Sequence, residues 1–305
     1  MNYKKKVTIL SVFVAVLALT YILILFFDSD RRRDPSFAWL DPSQIDMADR
    51  IEVFGMNGLT VLRRVNNIWF ISEGGIDYPV RQNRVEDLLS ALTRRDSYPV
   101  RALSAEARER LGLGEISDSR IRVSGGAGLP LLDLLIGSTD AIGREVYLRR
   151  GGSDEIHSGE DRFTFFTEAV SGFWLDRRLF SAASTADVQQ VEVNLPRRDS
   201  YVLRRIQGGW VIQGSTSALD ALLVESWLRG VLEAEAENFS LESPDIIEAT
   251  ITLHMGDGQS KVLMAGPIDE TNVRQVVVSD SSFVYLISEW TQNRLFRDSS
   301  FFLRD

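Results

Sequence analysis

One pattern occurs twice in this chain of 305 residues. Val61-Leu62-Arg63-Arg64-Val65 leads to Trp69-Phe70-Ile71, and Val202-Leu203-Arg204-Arg205-Ile206 leads to Trp210-Val211-Ile212. In both copies the tryptophan falls eight residues after the first valine, with Asn66-Asn67 or Gly208-Gly209 between the two apolar runs. Short β-branched and apolar runs on either side of such residues read as a β-hairpin. The match continues beyond the hairpins. Val85-Glu86-Asp87-Leu88-Leu89 is answered by Val224-Glu225-Ser226-Trp227-Leu228, with Val231 in the place of Leu92. Val85, Leu88, Leu89 and Leu92 fall on one face of a helix. The chain therefore reads as a tandem repeat, and it is long enough for each half to bury a core of its own.

The two halves keep one element order. The opening strands are Ile51–Phe54 and Val191–Asn194, each followed by its hairpin and helix. The first half adds a turn at Gly74-Gly75 and Pro79, and a polar helical stretch from Ser104 to Leu111 that ends at Gly112. Strands are then expected at Arg120–Ser124, Leu131–Ile136 and Val146–Arg149, with a shorter one near Ile156. In the second half they are expected at Ala249–His254, Lys261–Ala265, Val276–Ser279 and Phe283–Ile287. Gly137 and Gly266 are expected to close equivalent strands. Aromatic tails end both halves: Phe165, Phe166, Phe173, Trp174 and Phe180 in the first, Trp290 to Phe302 in the second. Trp174 and Trp290 are thus expected to seal the cores; the alternative is that the aromatic residues near them form a partner-binding surface. A strand pair, a helix and a mostly antiparallel sheet make an α+β fold rather than a parallel doubly wound one.

Ahead of the repeats, Val7 to Phe27 runs for 21 residues without a charge. As a helix it spans about 31 Å at ~1.5 Å per residue, close to the ~30 Å of a bilayer's hydrocarbon core. A cleaved signal peptide would place small residues before the cut, whereas Leu25-Phe26-Phe27 runs straight into Asp28. The segment reads as a retained signal-anchor. The expected division is a basic cytoplasmic tip at 1–6, the membrane helix at 7–27, a juxtamembrane linker at 28–48, and repeats at 49–182 and 187–305, with a seam at Ser181–Ala186. Lys4, Lys5 and Lys6 favour a cytoplasmic N-terminus, while Arg31, Arg32 and Arg33 on the other flank pull the opposite way.

Charge and composition narrow the chemistry. The formal net charge is −9, and without the three N-terminal lysines the remainder carries 31 bases against 43 acids. Such a body repels phosphate backbones, so no nucleic-acid partner is expected. With no cysteine and only His157 and His254, too few soft ligands exist for a zinc site, and no cofactor is expected. His157 reads as part of a polar turn and His254 as a surface or edge residue at a strand end. Ser124-Gly125-Gly126-Ala127-Gly128 is followed by Leu129-Pro130 and another strand, which makes it a hairpin turn rather than a phosphate loop. Asp269-Glu270-Thr271-Asn272 reads as a solvated turn. No nucleophile elbow or His-Glu-x-x-His helix occurs. The paired arginines are more informative. Adjacent strand residues face opposite sides, so one of each pair is placed over Trp69 or Trp210, with Arg64 and Arg205 as the candidates; the alternative is that all four are solubilising strand charges.

The tryptophan hairpin, the Val-Glu helix, Gly137 and Gly266, and the tail Phe173-Trp174-Leu175-Asp176-Arg177-Arg178-Leu179-Phe180 behind a single apolar segment resemble the bacterial family called domain of unknown function 4340. The resemblance covers about residues 37–302 and carries no catalytic residues. Proteins of this kind are often encoded beside components of gliding-motility-type ABC transporters. It therefore implies a body on the extracytoplasmic side of the inner membrane, serving as a non-catalytic subunit of an envelope assembly. Its partners would be other membrane proteins, among them a transporter permease and its ATPase. The alternative reading is a periplasmic module binding a glycan or peptide in a cleft between the repeats. Alkaline phosphatase fused after Asp305 is expected to be active, and a fluorescent protein that folds only in the cytoplasm is expected to stay dark there. The reverse pair would invert the topology.

Overall fold

The computed structural model describes residues 36–303 apart from 116, 118, 181–183 and 197–199. The expected basic tip, membrane helix and first part of the linker lie outside the described residues, and among these no helix is long and apolar enough to cross a membrane. The chain forms two compact units that part between Asp176 and Arg177. Both are α+β with antiparallel sheets.

The first unit contains β1 (Ser36–Phe37), β2 (Ala48–Gly55), β3 (Gly58–Val65), β4 (Ile68–Glu73), β5 (Ile76–Pro79), α1 (Gln82–Thr93), β6 (Asp96–Ser97), β7 (Val100–Ala102), α2 (Ala105–Arg110), β8 (Arg120–Gly125), β9 (Leu129–Thr139), β10 (Glu145–Arg150), β11 (Ile156–Glu160), α3 (Thr164–Thr167) and α4 (Ser171–Trp174). The second contains β12 (Val188–Asn194), β13 (Tyr201–Ile206), β14 (Gly209–Ile212), α5 (Ala221–Leu232), β15 (Asn238–Ser240), β16 (Ala249–Met255), β17 (Ser260–Ile268), β18 (Arg274–Val278), β19 (Val284–Ile287) and α6 (Glu289–Leu295). The first large sheet runs β5-β4-β3-β2-β8-β9-β10-β11-β7 and the second β14-β13-β12-β16-β17-β18-β19-β15. Once the extra edge strand β5 is removed, the two orders are the same permutation. β1 and β6 form a separate small pair in the first unit.

Local chemistry explains the shared core. In the β3–β4 hairpin Val65 pairs with Ile68, so Asn66 and Asn67 make the turn, both with positive φ (51° and 63°). Asparagine tolerates that region better than most residues, and a turn left-handed at both central positions matches the twist of the strands. In the β13–β14 hairpin Ile206 pairs with Gly209, and of the two turn residues only Gly208 has positive φ (95°). α1 buries Val85, Leu88, Leu89 and Leu92, the face read from the spacing. They meet the inner sheet face made by Ile51, Val53, Ile121 and Val123 among others. α5 does the same with Val224, Trp227, Leu228 and Val231 over Val191, Val193, Ile251 and Leu253. Each such side chain contributes about 1.5–3 kcal/mol by leaving water.

Three expectations change. Gly137 and Gly266 do not close their strands; both lie inside strands that continue, beside irregularities in the pairing of β9 with β10 and of β17 with β18. A Cβ on Gly137 would stand 2.3 Å from the Leu111 carbonyl oxygen, and one on Gly266 2.5 Å from Pro244 Cβ. The glycines are there because a crossing segment presses on the sheet. The seam also moves. Leu179 and Phe180 are buried in the second core rather than closing the first, and Arg178 bridges to Glu235, so the tail is shared out at Asp176. Lastly, Phe165 is 63% exposed, while Phe163 is fully buried.

Gly137→Ala and Gly266→Ala are each expected to cost about 1–3 kcal/mol in urea unfolding, because the obstructing atoms belong to packed segments. Gly126→Ala, whose nearest neighbour would be 4.0 Å away, should stay within about 0.5 kcal/mol of the parent.

Candidate functional site

The arginine of each pair that shares its tryptophan's side of the sheet is the second one. The Arg64 guanidinium lies 5.6 Å from the Trp69 ring centre and that of Arg205 lies 4.5 Å from Trp210. Neither is waiting for a ligand. Arg64 donates to the Asp46 carbonyl, in the 3-10 turn Pro42–Met47 that precedes β2. Arg205 donates from Nε to the Val188 carbonyl at 3.0 Å and from Nη2 to the Thr185 carbonyl at 2.8 Å, in and beside the 3-10 turn Thr185–Asp187 that precedes β12. Its Nη1 sits 2.8 Å from Glu225 Oε1, which also accepts the Trp210 indole N–H at 2.8 Å. Each arginine is a strap drawn across a buried indole, tying the hairpin to the turn that opens the unit. Glu225 was visible in the sequence only as half of the Val-Glu helix motif; its counterpart Glu86 is exposed. In the first unit the Gln82 amide grips the Trp69 backbone, accepting from its main-chain N–H and donating to its carbonyl, both at 2.9 Å.

Trp174 and Trp290 are not equivalents. Trp174 is fully buried, Leu175 bridges to Val80, and Arg81 N–H donates to the Trp174 carbonyl at 2.9 Å. In the second unit Leu303 bridges to Leu219, and Asp220 N–H donates to the Phe302 carbonyl at 3.0 Å. The counterpart of Trp174 is therefore Phe302, also fully buried. Trp290 was expected in the core and is 69% exposed. α6 turns Thr291, Gln292 and Leu295 inward, which leaves Trp290 and Arg294, one turn apart, on the outside. The Arg294 guanidinium lies 5.4 Å from the indole centre.

These two residues border a cleft of about 610 Å³ with Arg177, Glu233 and Glu237. Glu237 is committed to the fold: its carboxylate accepts from Ser288 N–H at 2.7 Å and Thr291 Oγ at 3.2 Å at the start of α6. Arg177 Nη1 donates to the Glu237 carbonyl at 2.5 Å. Glu233 is exposed beside them. The surface thus offers a flat aromatic ring, a guanidinium and a carboxylate to whatever approaches.

The two histidines are both tied to neighbours. His157 is not in a turn; it is buried on β11, with Nδ1 2.8 Å from the Tyr98 carbonyl and its ring edge-on to Phe37 and Trp39. Burial also pushes the Tyr98 hydroxyl above its usual range. His254 sits on a central strand rather than an edge. Its Nε2 is 2.9 Å from Glu192 Oε1 and its Nδ1 2.9 Å from Ser260 Oγ. Serine, imidazole and carboxylate are in line across three paired strands, β17, β16 and β12. It is a polar tie on the sheet's open face. Among the described residues no three or more histidine or acidic side chains gather as a metal site. Residues 126–128 connect β8, which takes in Ser124 and Gly125, to β9, and Asp269 Oδ1 accepts from Thr271 and Val273 N–H groups in a turn.

Arg205→Ala should lower stability by about 1–3 kcal/mol, since it removes the strap and leaves Glu225 without its cation. Arg205→Lys should recover little, because an ammonium cannot span the same acceptors. Trp290→Ala should unfold within about 0.5 kcal/mol of the parent.

Comparison with known proteins finds no match among curated proteins and none among solved structures. The family model described as Domain of unknown function (DUF4340) matches residues 69–251, more than half of the chain. The match runs from β4 in the first unit to β16 in the second, so it takes in parts of both sheets and the whole passage between them. This chain belongs to the DUF4340 family.

Proposed function

We propose that this protein is a non-catalytic subunit of a cell-envelope assembly, anchored by residues 7–27 in the inner membrane with its two units on the extracytoplasmic side. The observation that carries the reading is Trp290, 69% exposed with the Arg294 guanidinium against it. Tryptophan and arginine are among the residues enriched at the hot spots that carry most of the energy of protein–protein contacts. The uncharged N-terminal segment adds the second support, since tethering raises the local concentration of a binding surface to roughly millimolar and lets modest contacts suffice. The family resemblance supplies the class of partner, an ABC transporter permease with its ATPase. A ligand-binding reading has one observation of its own: the cleft of about 610 Å³ beside Trp290 pairs an aromatic platform with Glu233 in the manner of a sugar subsite.

Crosslinking in native membranes and gentle detergent extraction should recover the protein with a polytopic permease and its ATPase. Trp290→Ala should reduce that recovery several-fold at unchanged protein level. Exchanging residues 7–27 for an unrelated signal-anchor should reduce it only if the helix also makes contact. Recovery as a lone monomer from crosslinked membranes would reject the assembly and leave the ligand-binding reading.

A further inference from the structure

A cleft of about 430 Å³ lies in the first unit, beside the segment where the described residues begin. It is lined by Phe37 and Trp39 of that segment, Arg95 just after α1, and Arg150 at the end of β10. Asp41 and Gln44, at the start of the 3-10 turn Pro42–Met47, border it too. Its charges are therefore two guanidiniums and one carboxylate. The first reaches the cleft by strand alternation. Val146 and Leu148 are buried in the core, and Arg150 takes the same side of β10, donating to the Trp39 carbonyl. It is no part of what the two units share. Leu148 pairs with Ile136, just before Gly137, and Val276 with Ala265, just before Gly266. The register counterpart of Arg150 is thus Val278, which is fully buried.

The two guanidiniums differ from their neighbours in lacking an acid. Arg101, Arg108, Arg120 and Arg162 of the same unit each pair with a carboxylate. Arg95 donates to the Ser36 carbonyl at 3.3 Å and Arg150 to that of Trp39, and among the described residues neither forms an ion pair. Desolvation pushes the Arg150 guanidinium below its usual range with nothing acidic to offset it. A partly dehydrated cation without a counter-ion gains from an anion brought to it, and the guanidinium fork matches phosphate. Asp41 offers the opposite sign. Its Oδ1 accepts from the Ser43 N–H at 2.9 Å and from the Ser43 hydroxyl at 2.8 Å, while Oδ2 takes no hydrogen bond among the described residues.

We infer that this cleft binds the headgroup of an aminophospholipid, its phosphodiester held by Arg95 and Arg150 and its ammonium by Asp41. Chain length brings the two together. From Phe27, at the end of the apolar segment, to Ser36 is nine residue steps. Those steps span at most about 32 Å at ~3.6 Å each, so the cleft stays close to the bilayer face. That a bilayer is there at all rests on the anchor proposed above. The remaining lining is apolar and aromatic, which suits the glycerol and upper acyl atoms beside such a headgroup.

The test is native mass spectrometry of the full chain, purified in a sugar-based detergent and titrated with dihexanoyl-phosphatidylethanolamine. One lipid per chain is expected to bind saturably, and at least about tenfold more weakly to Arg150→Gln and to Arg95→Gln. Arg95 is exposed, so its variant keeps the test alive if the other fails a thermal melt. Asp41→Asn should erase any preference for this lipid over its phosphatidylglycerol counterpart. No saturable binding, equal binding of dihexanoylglycerol, or binding untouched by both arginine variants would overturn the inference. So would displacement of the lipid by inorganic phosphate at equal concentration, since free phosphate would then be the ligand. The anchor is scored separately, by alkaline carbonate extraction of membranes. A chain that stays with the membranes but binds no lipid would sink the cleft and keep the anchor. Lipid binding as expected, by a chain that carbonate releases, would do the opposite.

Discussion

Each unit depends on one helix laid across the inner face of an antiparallel sheet. α1 and α5 are both 12 residues long, and each presents apolar side chains at helical spacing to the strands that flank the sheet's centre. Remove that contact and neither the sheet nor the helix has a partner for its apolar side, since an isolated helix of this length is marginal in water. The other devices serve this contact. The arginine straps hold the hairpins to the opening turns. The aromatic tails return to pair two residues before each helix begins, Val80 with Leu175 and Leu219 with Leu303, and close the core from the end.

The opposite sheet faces are polar, but not in the same way. In the first unit Arg50 and Arg122 share Glu52, while Arg120 and Arg122 share Asp133. In the second, Glu192 takes the place of Glu52 and joins Gln190 and His254. These ties are partly exposed, and each adds little stability. Their effect is to keep two broad sheet faces polar, while exposed large apolar side chains remain at many places in both units. Trp290 and the 241–248 loop are two of those places in the second unit. One topology has thus been finished differently in its two copies: the connection from β7 to β8 carries α2, and that from β15 to β16 holds no helix.

What the sequence determined by itself is the repeat, the α+β class, the hairpins, the inward face of α1 and the placement of an arginine over each tryptophan. These are legible because they follow from periods of two and 3.6 residues and from turn chemistry, which act between near neighbours. Only the tertiary structure decided which aromatic residues are buried. Trp290 and Phe302 look alike in an aromatic tail, yet the backbone bond from Asp220 to the Phe302 carbonyl draws one in and α6 turns the other out. His157 reads as polar and is buried because Tyr98, far from it in sequence, offers a carbonyl. Gly137 and Gly266 read as strand ends and are really clearances for a crossing segment. Such features depend on which distant segments meet, and burial follows from that meeting rather than from any residue's own character.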